Sequence, residues 1–118
     1  MSGDGFDPLK VKKGEKRFGY VSIVDTVAAK FDMPVGVVNG VNDGPTLAVT
    51  GGLYPTEYCG VESASRLYQL INPEKLSGRF ITIPSMNMNA LQFRVPGLNL
   101  TSSSTTPVDR GRINSSFP

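Results

Sequence analysis

Short runs of alternating hydrophobic and polar positions predict strands in the first part of the chain. Residues 18–24 carry β-branched side chains in an imperfect alternation, which is typical of a strand. Residues 34–38 form a second apolar run, which ends at the turn signal Asn39-Gly40. Residues 25–31, between the two runs, predict a linker or a short amphipathic piece.

A third strand is predicted after a further turn. Residues 42–45 have the composition of a turn, and the apolar residues 46–50 follow them. A short apolar run of this kind is typical of a strand that is buried on both faces of a sheet.

A helical period replaces the strand pattern beyond Gly51-Gly52. Apolar residues recur at helical spacing, namely Val61, Ala64, Leu67 or Tyr68, and Ile71, while Glu62, Ser65, Arg66 and Gln69 form the polar face. Thr56 is the predicted N-cap, and Asn72-Pro73 ends the helix.

The clearest strand pattern covers residues 79–83 and ends at Pro84. Residues 46–83 therefore read strand, helix, strand, which is a βαβ unit with parallel strands and predicts the α/β class. We divide the chain into a polar entry segment (1–17), an α/β core (18–97) and a loop rich in Ser, Thr and Gly (98–118). Because no closing strand follows, the sheet is expected to be incomplete.

Composition narrows the range of possible functions and partners. The formal charge of +2 over 118 residues is too small to indicate nucleic acid or an anionic membrane as partner. No apolar run reaches the roughly 20 residues that span a bilayer, and the N-terminus lacks a signal-peptide core. The single cysteine, Cys59, excludes an internal disulfide, and we expect a cytoplasmic protein.

The chain contains no histidine. Histidine is the commonest catalytic acid–base and a frequent zinc ligand, so its absence excludes Ser–His and Cys–His pairs and most hydrolytic zinc sites. Ligands of open α/β sheets bind beyond the carboxyl ends of the strands, which here are residues 51–60 and 85–89. Glu57 lies in the first of these segments. The simpler interpretation of Glu57 is that its carboxylate is stabilised by the helix dipole at the helix N-terminus.

Three segments together resemble the succinylglutamate desuccinylase/aspartoacylase family. Residues 33–62 contain Gly51-Gly-Leu-Tyr-Pro-Thr-Glu-Tyr-Cys-Gly60, which is similar to the family motif Gly-Gly-x-His-Gly-x-Glu-x-x-Gly. Residues 76–94 are similar to the next strand and its Asn-containing loop, and residues 106–118 to the segment Asp-Gly-x-x-Leu-Asn-Arg-x-Phe-Pro-Gly. The resemblance implies the N-terminal part of a metallocarboxypeptidase-like mixed sheet with flanking helices.

The resemblance also implies a zinc-dependent deacylase whose chemistry is altered here. Tyr54 replaces the histidine that binds zinc in the family, whereas Glu57 keeps the position of the second ligand. Ser115 replaces the arginine that holds the substrate carboxylate, although Asn114 before it is retained. A phenol is a poor replacement for neutral imidazole, and a hydroxyl cannot imitate a charged bidentate group.

Two further arginines belong to the predicted substrate-binding set. Arg94 lies in the second matching segment and Arg112 in the third. Arg112 could substitute for the missing arginine, and the alternative is an ordinary arginine on a surface loop.

Two functional hypotheses follow. In the first, the chain is a member or fragment of the zinc-dependent N-acyl amino acid deacylase family and binds no zinc tightly by itself. In the second, it is a non-catalytic subunit or binding module, which pairs with a second chain or a missing C-terminal portion, or binds a small carboxylate or peptide.

Overall fold

The computed structural model describes residues 5–54 and 57–87. Within these residues, four strands form one sheet: β1 (Lys16–Asp25), β2 (Lys30–Asn39), β3 (Asn42–Thr50) and β4 (Ser77–Ile83). Helix α1 (Tyr58–Leu70) lies between β3 and β4, and short 3-10 helices cover Pro8–Lys10 and Pro73–Lys75.

The strands lie in the order β1-β2-β4-β3. β2 pairs antiparallel with both β1 and β4, whereas β3 pairs parallel with β4 across the α1 crossover. The sheet is therefore mixed, which confirms the α/β class and the βαβ unit. β4 is the strand that joins the N-terminal hairpin to this unit.

The β1–β2 connection is a tight hairpin, so the predicted linker over residues 25–31 is wrong. The amide of Thr26 donates to the Ala29 carbonyl at 2.9 Å, and the Thr26 hydroxyl contacts both backbone groups of Ala29 at 3.2 Å. Because this local pairing closes the turn between Thr26 and Ala29, Lys30 already pairs with Asp25.

Helix α1 packs on the sheet at a place where the sheet surface is recessed. A Cβ atom on Gly36 would lie 2.7 Å from the Tyr68 ring and 2.8 Å from Cγ2 of Thr82, so only glycine leaves room for the ring. The buried Thr82 hydroxyl donates to the Ala64 carbonyl at 3.0 Å. Tyr68 rather than Leu67 is thus the residue that packs inward, and burial raises the pKa of its phenol.

The N-terminal segment covers the opposite face of the sheet. Val11 is buried against Val35 and Val37, and the Phe6 ring lies directly over Gly19. The segment therefore contributes apolar surface to the core, which its lysine-rich composition does not indicate.

Strand β3 departs from its predicted burial. Every residue from Asn42 to Ala48 is exposed, and Leu47 retains 62% of its accessible surface. The expectation of a strand buried on both faces is wrong because β3 is the last strand of the described sheet. The predicted turn at 42–45 is partly wrong: β3 begins at Asn42, and the register shifts between Asn42 and Thr46.

Some sequence predictions concern residues that the structure does not describe. The loop at 98–118 lies outside the described ranges, as does nearly all of the helical turn considered at 87–94. Within those ranges, no helix combines the length and hydropathy needed to cross a bilayer.

The hydroxyl of Thr82 gives a direct test of how the helix is held. Thr82→Val keeps the side-chain shape but removes the hydrogen bond to Ala64, so we expect a loss of about 1 kcal/mol in the free energy of unfolding. Thr50→Val, at an exposed position of β3, should change it by less than about 0.5 kcal/mol. Urea unfolding followed by circular dichroism measures both. Equal effects would show that the hydrogen bond contributes nothing.

Candidate functional site

The segments that follow β3 and β4 run side by side beyond the ends of their strands. The Gly51 amide donates to the Ile83 carbonyl at 2.9 Å, and the Met86 amide donates to the Gly51 carbonyl at 2.9 Å. The pairing continues where the Asn87 amide donates to the Gly52 carbonyl at 3.1 Å. Backbone groups thus fix the loop after β3 to the loop after β4.

Helix α1 begins in direct contact with this pair of loops. A Cβ atom on Gly51 would lie 2.4 Å from the Gly60 carbonyl oxygen and 3.0 Å from that of Pro84. Gly51 is therefore required for the close approach of three backbone segments. Gly60 contributes to the same approach from the helix side, since a Cβ atom there would lie 3.6 Å from the Gly52 amide nitrogen.

A turn brings Tyr54 and Glu57 together ahead of the helix. The Glu57 amide donates to the Tyr54 carbonyl at 3.2 Å, and the Gly60 amide then donates to the Glu57 carbonyl at 3.1 Å. Glu57 is the N-cap residue of α1, with φ −93° and ψ 58°. Thr56, the predicted N-cap, lies outside the described residues, and the prediction is wrong by one position because α1 has its N-cap at Glu57 and begins at Tyr58.

The Glu57 carboxylate is exposed and makes no capping hydrogen bond. It lies at the positive end of the α1 dipole, which favours a negative charge by about 0.3–1 kcal/mol. Tyr54 beside it is half-buried, while Tyr58 and Cys59 in the first helical turn are exposed. The turn therefore presents one carboxylate to solvent at the edge where the parallel strands end.

Asn87 is a positioning residue that the sequence argument did not single out. Its side-chain amide donates to the Leu53 carbonyl at 3.1 Å, which adds a side-chain bond to the backbone pairing of the two loops. The signal that could have indicated it is its place in the Asn-containing segment at 85–89, just beyond the end of β4.

The donor set in this part of the molecule does not fit zinc. A catalytic zinc needs three protein ligands and an open position for water. Within residues 5–54 and 57–87, no three Cys, Asp or Glu side chains come close enough together to hold a metal ion, and the sequence contains no histidine. At the two positions where the family motif predicts zinc ligands, this chain offers one carboxylate, from Glu57, and one phenol, from Tyr54.

The structure does not bear on the other predicted site residues. Arg94, Arg112, Asn114 and Ser115 all lie outside the described ranges, so their roles in substrate binding stay predictions.

Known proteins are similar to this chain in both sequence and fold. The N-alpha-acetyl-L-2,4-diaminobutyric acid deacetylase of Halomonas elongata is 31% identical over 114 residues, which cover 97% of this chain and 28% of that protein. A succinylglutamate desuccinylase/aspartoacylase from Rhodobacter sphaeroides, solved by crystallography, is 32% identical with a TM-score of 0.58, over 66% of this chain and 25% of its own. No protein-family model matches the chain.

A third protein extends the structural match along the chain. The crystal structure of an aspartoacylase family protein from Mesorhizobium loti is 26% identical with a TM-score of 0.66, and the match covers 90% of this chain and 36% of that one. This chain belongs to the succinylglutamate desuccinylase/aspartoacylase family.

The family resemblance drawn from the three motifs is thereby confirmed, and with it the mixed-sheet fold. The match is to the N-terminal part of the family fold, and the chain spans roughly a third or less of the length of these relatives.

The contact between Gly51 and Gly60 allows a matched pair of substitutions. Gly51→Ala places a methyl group against backbone atoms that cannot rotate away, so we expect a loss of about 1–3 kcal/mol in unfolding free energy. Gly60→Ala meets only ordinary contact distances and should stabilise α1 by about 0.5–1 kcal/mol. Urea unfolding of both variants measures the difference. A Gly51→Ala protein as stable as Gly60→Ala would show that the loop and helix can separate freely.

Proposed function

We propose that this chain supplies the N-terminal part of a zinc-dependent N-acyl amino acid deacylase scaffold and has no deacylase activity by itself. The family is zinc-dependent, and the named relative from Halomonas elongata is a deacetylase of an N-acetylated amino acid. The observation that carries the proposal is the 54–57 turn, which keeps the carboxylate of the family motif but has a tyrosine in place of its histidine.

The requirements of zinc catalysis support the proposal that the isolated chain is inactive. In the family, zinc lowers the pKa of a bound water and polarises the amide carbonyl, and both effects require the ion to be held firmly. Glu57 alone cannot hold it, and the phenol of an ordinary tyrosine deprotonates only near pH 10. On this view the chain is a pseudoenzyme or a subunit whose missing ligands come from elsewhere.

Zinc analysis and an activity assay test this proposal together. We expect the purified chain to contain less than one zinc per molecule and to release no amino acid from N-acetyl-2,4-diaminobutyrate, N-acetylaspartate or N-succinylglutamate. Stoichiometric zinc with turnover of any of these amides would overturn the proposal.

Restoring the family residue should improve zinc binding only slightly. Tyr54→His adds an imidazole near Glu57, but two ligands are still fewer than the three that a catalytic site uses, so we expect less than about a tenfold gain in affinity. Tyr58→His, which adds an exposed histidine outside the motif position, is the matched control. Zinc titration by calorimetry measures both. Tight binding by Tyr54→His alone would reveal a third ligand beyond the described residues.

A second candidate function is that of a subunit that pairs through the outer edge of β3. Parallel strands are normally covered on both faces, and unpaired strand edges readily bind another chain. Here β3 is exposed from Asn42 to Ala48 and has no strand on its outer side in the described part of the chain. The relatives carry more than twice as much chain as the part that matches.

This candidate predicts self-association of the isolated chain, since another copy is then the available partner for β3. Leu47→Lys places a charge on the exposed strand and should shift the chain toward monomer, as measured by light scattering over a range of concentrations. Leu70→Lys is the control, because Leu70 is 79% exposed at the far end of α1. A well-behaved monomer at all concentrations would contradict obligate pairing.

A further inference from the structure

A polar cavity lies at the edge of the sheet opposite the Tyr54–Glu57 turn. It has a volume of about 220 Å³ and is formed where β3 and β4 begin. At about 3.3 Å per strand residue, Thr46 at this cavity is about 16 Å from Gly51 at the other end of β3. The cavity is therefore separate from the site that corresponds to the family motif.

Three polar side chains form a row across the sheet at this edge. Arg79 of β4 pairs in register with Asn39 of β2 on one side and with Thr46 of β3 on the other. Residues paired in this way point to the same face of a sheet. The next row along the strands contains Val37 and Ile81, so the polar row borders apolar surface.

Arg79 is the charged residue of this row, and its guanidinium is available to bind a ligand. It is half-buried, and its guanidinium makes no hydrogen bond or ion pair with the residues that the structure describes. A guanidinium presents parallel N–H donors that match the two oxygens of a carboxylate. The Asn39 side chain is held in place because its amide donates to the Val11 carbonyl at 2.8 Å.

The charges around the cavity favour a singly charged anion. Lys13 and Asp43 lie at its rim and form an ion pair, and the hydrogen bond and positive charge of Lys13 lower the pKa of the Asp43 carboxyl. Asp43 is thus ionised at neutral pH and neutralises Lys13. One net positive charge remains, on Arg79, while the Asp43 carboxylate disfavours a doubly charged ligand.

The backbone around the cavity is closely packed. A Cβ atom on Gly78 would lie 2.1 Å from the Pro45 carbonyl oxygen, and one on Gly44 would lie 2.7 Å from the Ser77 carbonyl carbon. The first residues of β3 and β4 are therefore in direct contact and form a fixed base for the cavity. A volume of 220 Å³ is enough for a carboxylate with a short substituent, because a single water needs only about 10–15 Å³ of such space.

We propose that this cavity binds a small monocarboxylate, whose two oxygens are held by the Arg79 guanidinium with the Thr46 hydroxyl beside them. The site shares no residue with the Tyr54–Glu57 turn and lies at the other end of the strands, so it stands whether or not the proposed deacylase scaffold is correct.

A titration of the whole chain with sodium acetate tests the proposal. Backbone amide NMR at pH 7 and constant ionic strength should show saturable shifts at Asn42, Gly44, Gly78 and Arg79, and phosphate should bind more weakly than acetate. Shifts that sodium chloride reproduces, or tighter binding of phosphate, would overturn it.

Two matched variants test whether acetate binds at Arg79. Arg79→Gln should weaken acetate binding by at least about tenfold, because it removes the charge and the paired donors. Arg17→Gln makes the same change on β1, away from the cavity, and should leave binding unaltered. Equal affinities in the two variants would overturn the proposal.

If Arg79→Gln unfolds, which its NMR spectrum would show as a loss of chemical-shift dispersion, a second variant still tests the site. Thr46→Val, at an exposed position, removes only the hydroxyl and should weaken acetate binding by about threefold. In that case, unchanged affinity of Thr46→Val would count against the site.

Discussion

The contact between α1 and the centre of the sheet is the constraint on which the rest of the described structure depends. The helix can approach because Gly36 leaves a recess for the Tyr68 ring, and it is fixed in that recess by the Thr82 hydroxyl and the Ala64 carbonyl. Since α1 is the crossover between β3 and β4, its position determines where its N-terminus meets the strand ends. The position of Glu57 therefore depends on the contacts that Ala64 and Tyr68 make with the sheet, farther along the helix.

Much of this arrangement could be predicted from local sequence patterns. Residues 79–83 alternate and carry β-branched side chains, and the structure places them within β4. Ala64 and Tyr68 recur at helical spacing, and Asn72-Pro73 ends the helix because the residue before a proline avoids helical dihedrals. These features depend on near neighbours in the chain, which a single sequence displays directly.

The features that could not be predicted depend on distant neighbours. An apolar run does not reveal whether Leu47 is buried, since its exposure follows from the place of β3 at the end of the sheet. Phe6 reaches the core only because Gly19 leaves space for its ring. In the candidate site, the family motif located Tyr54 and Glu57, but the bond from Asn87 to Leu53 requires two loops that are 34 residues apart.

The loop that carries Tyr54 is shaped largely by main-chain atoms. The close approach of glycines and the bonds between carbonyl and amide groups set its course, and these bonds use the backbone of residue 54. Shape and reactivity are thus encoded in different atoms of the same ten residues. The architecture can therefore persist when the side chain at this position is exchanged, so preservation of the fold is a poor guide to preservation of the reaction.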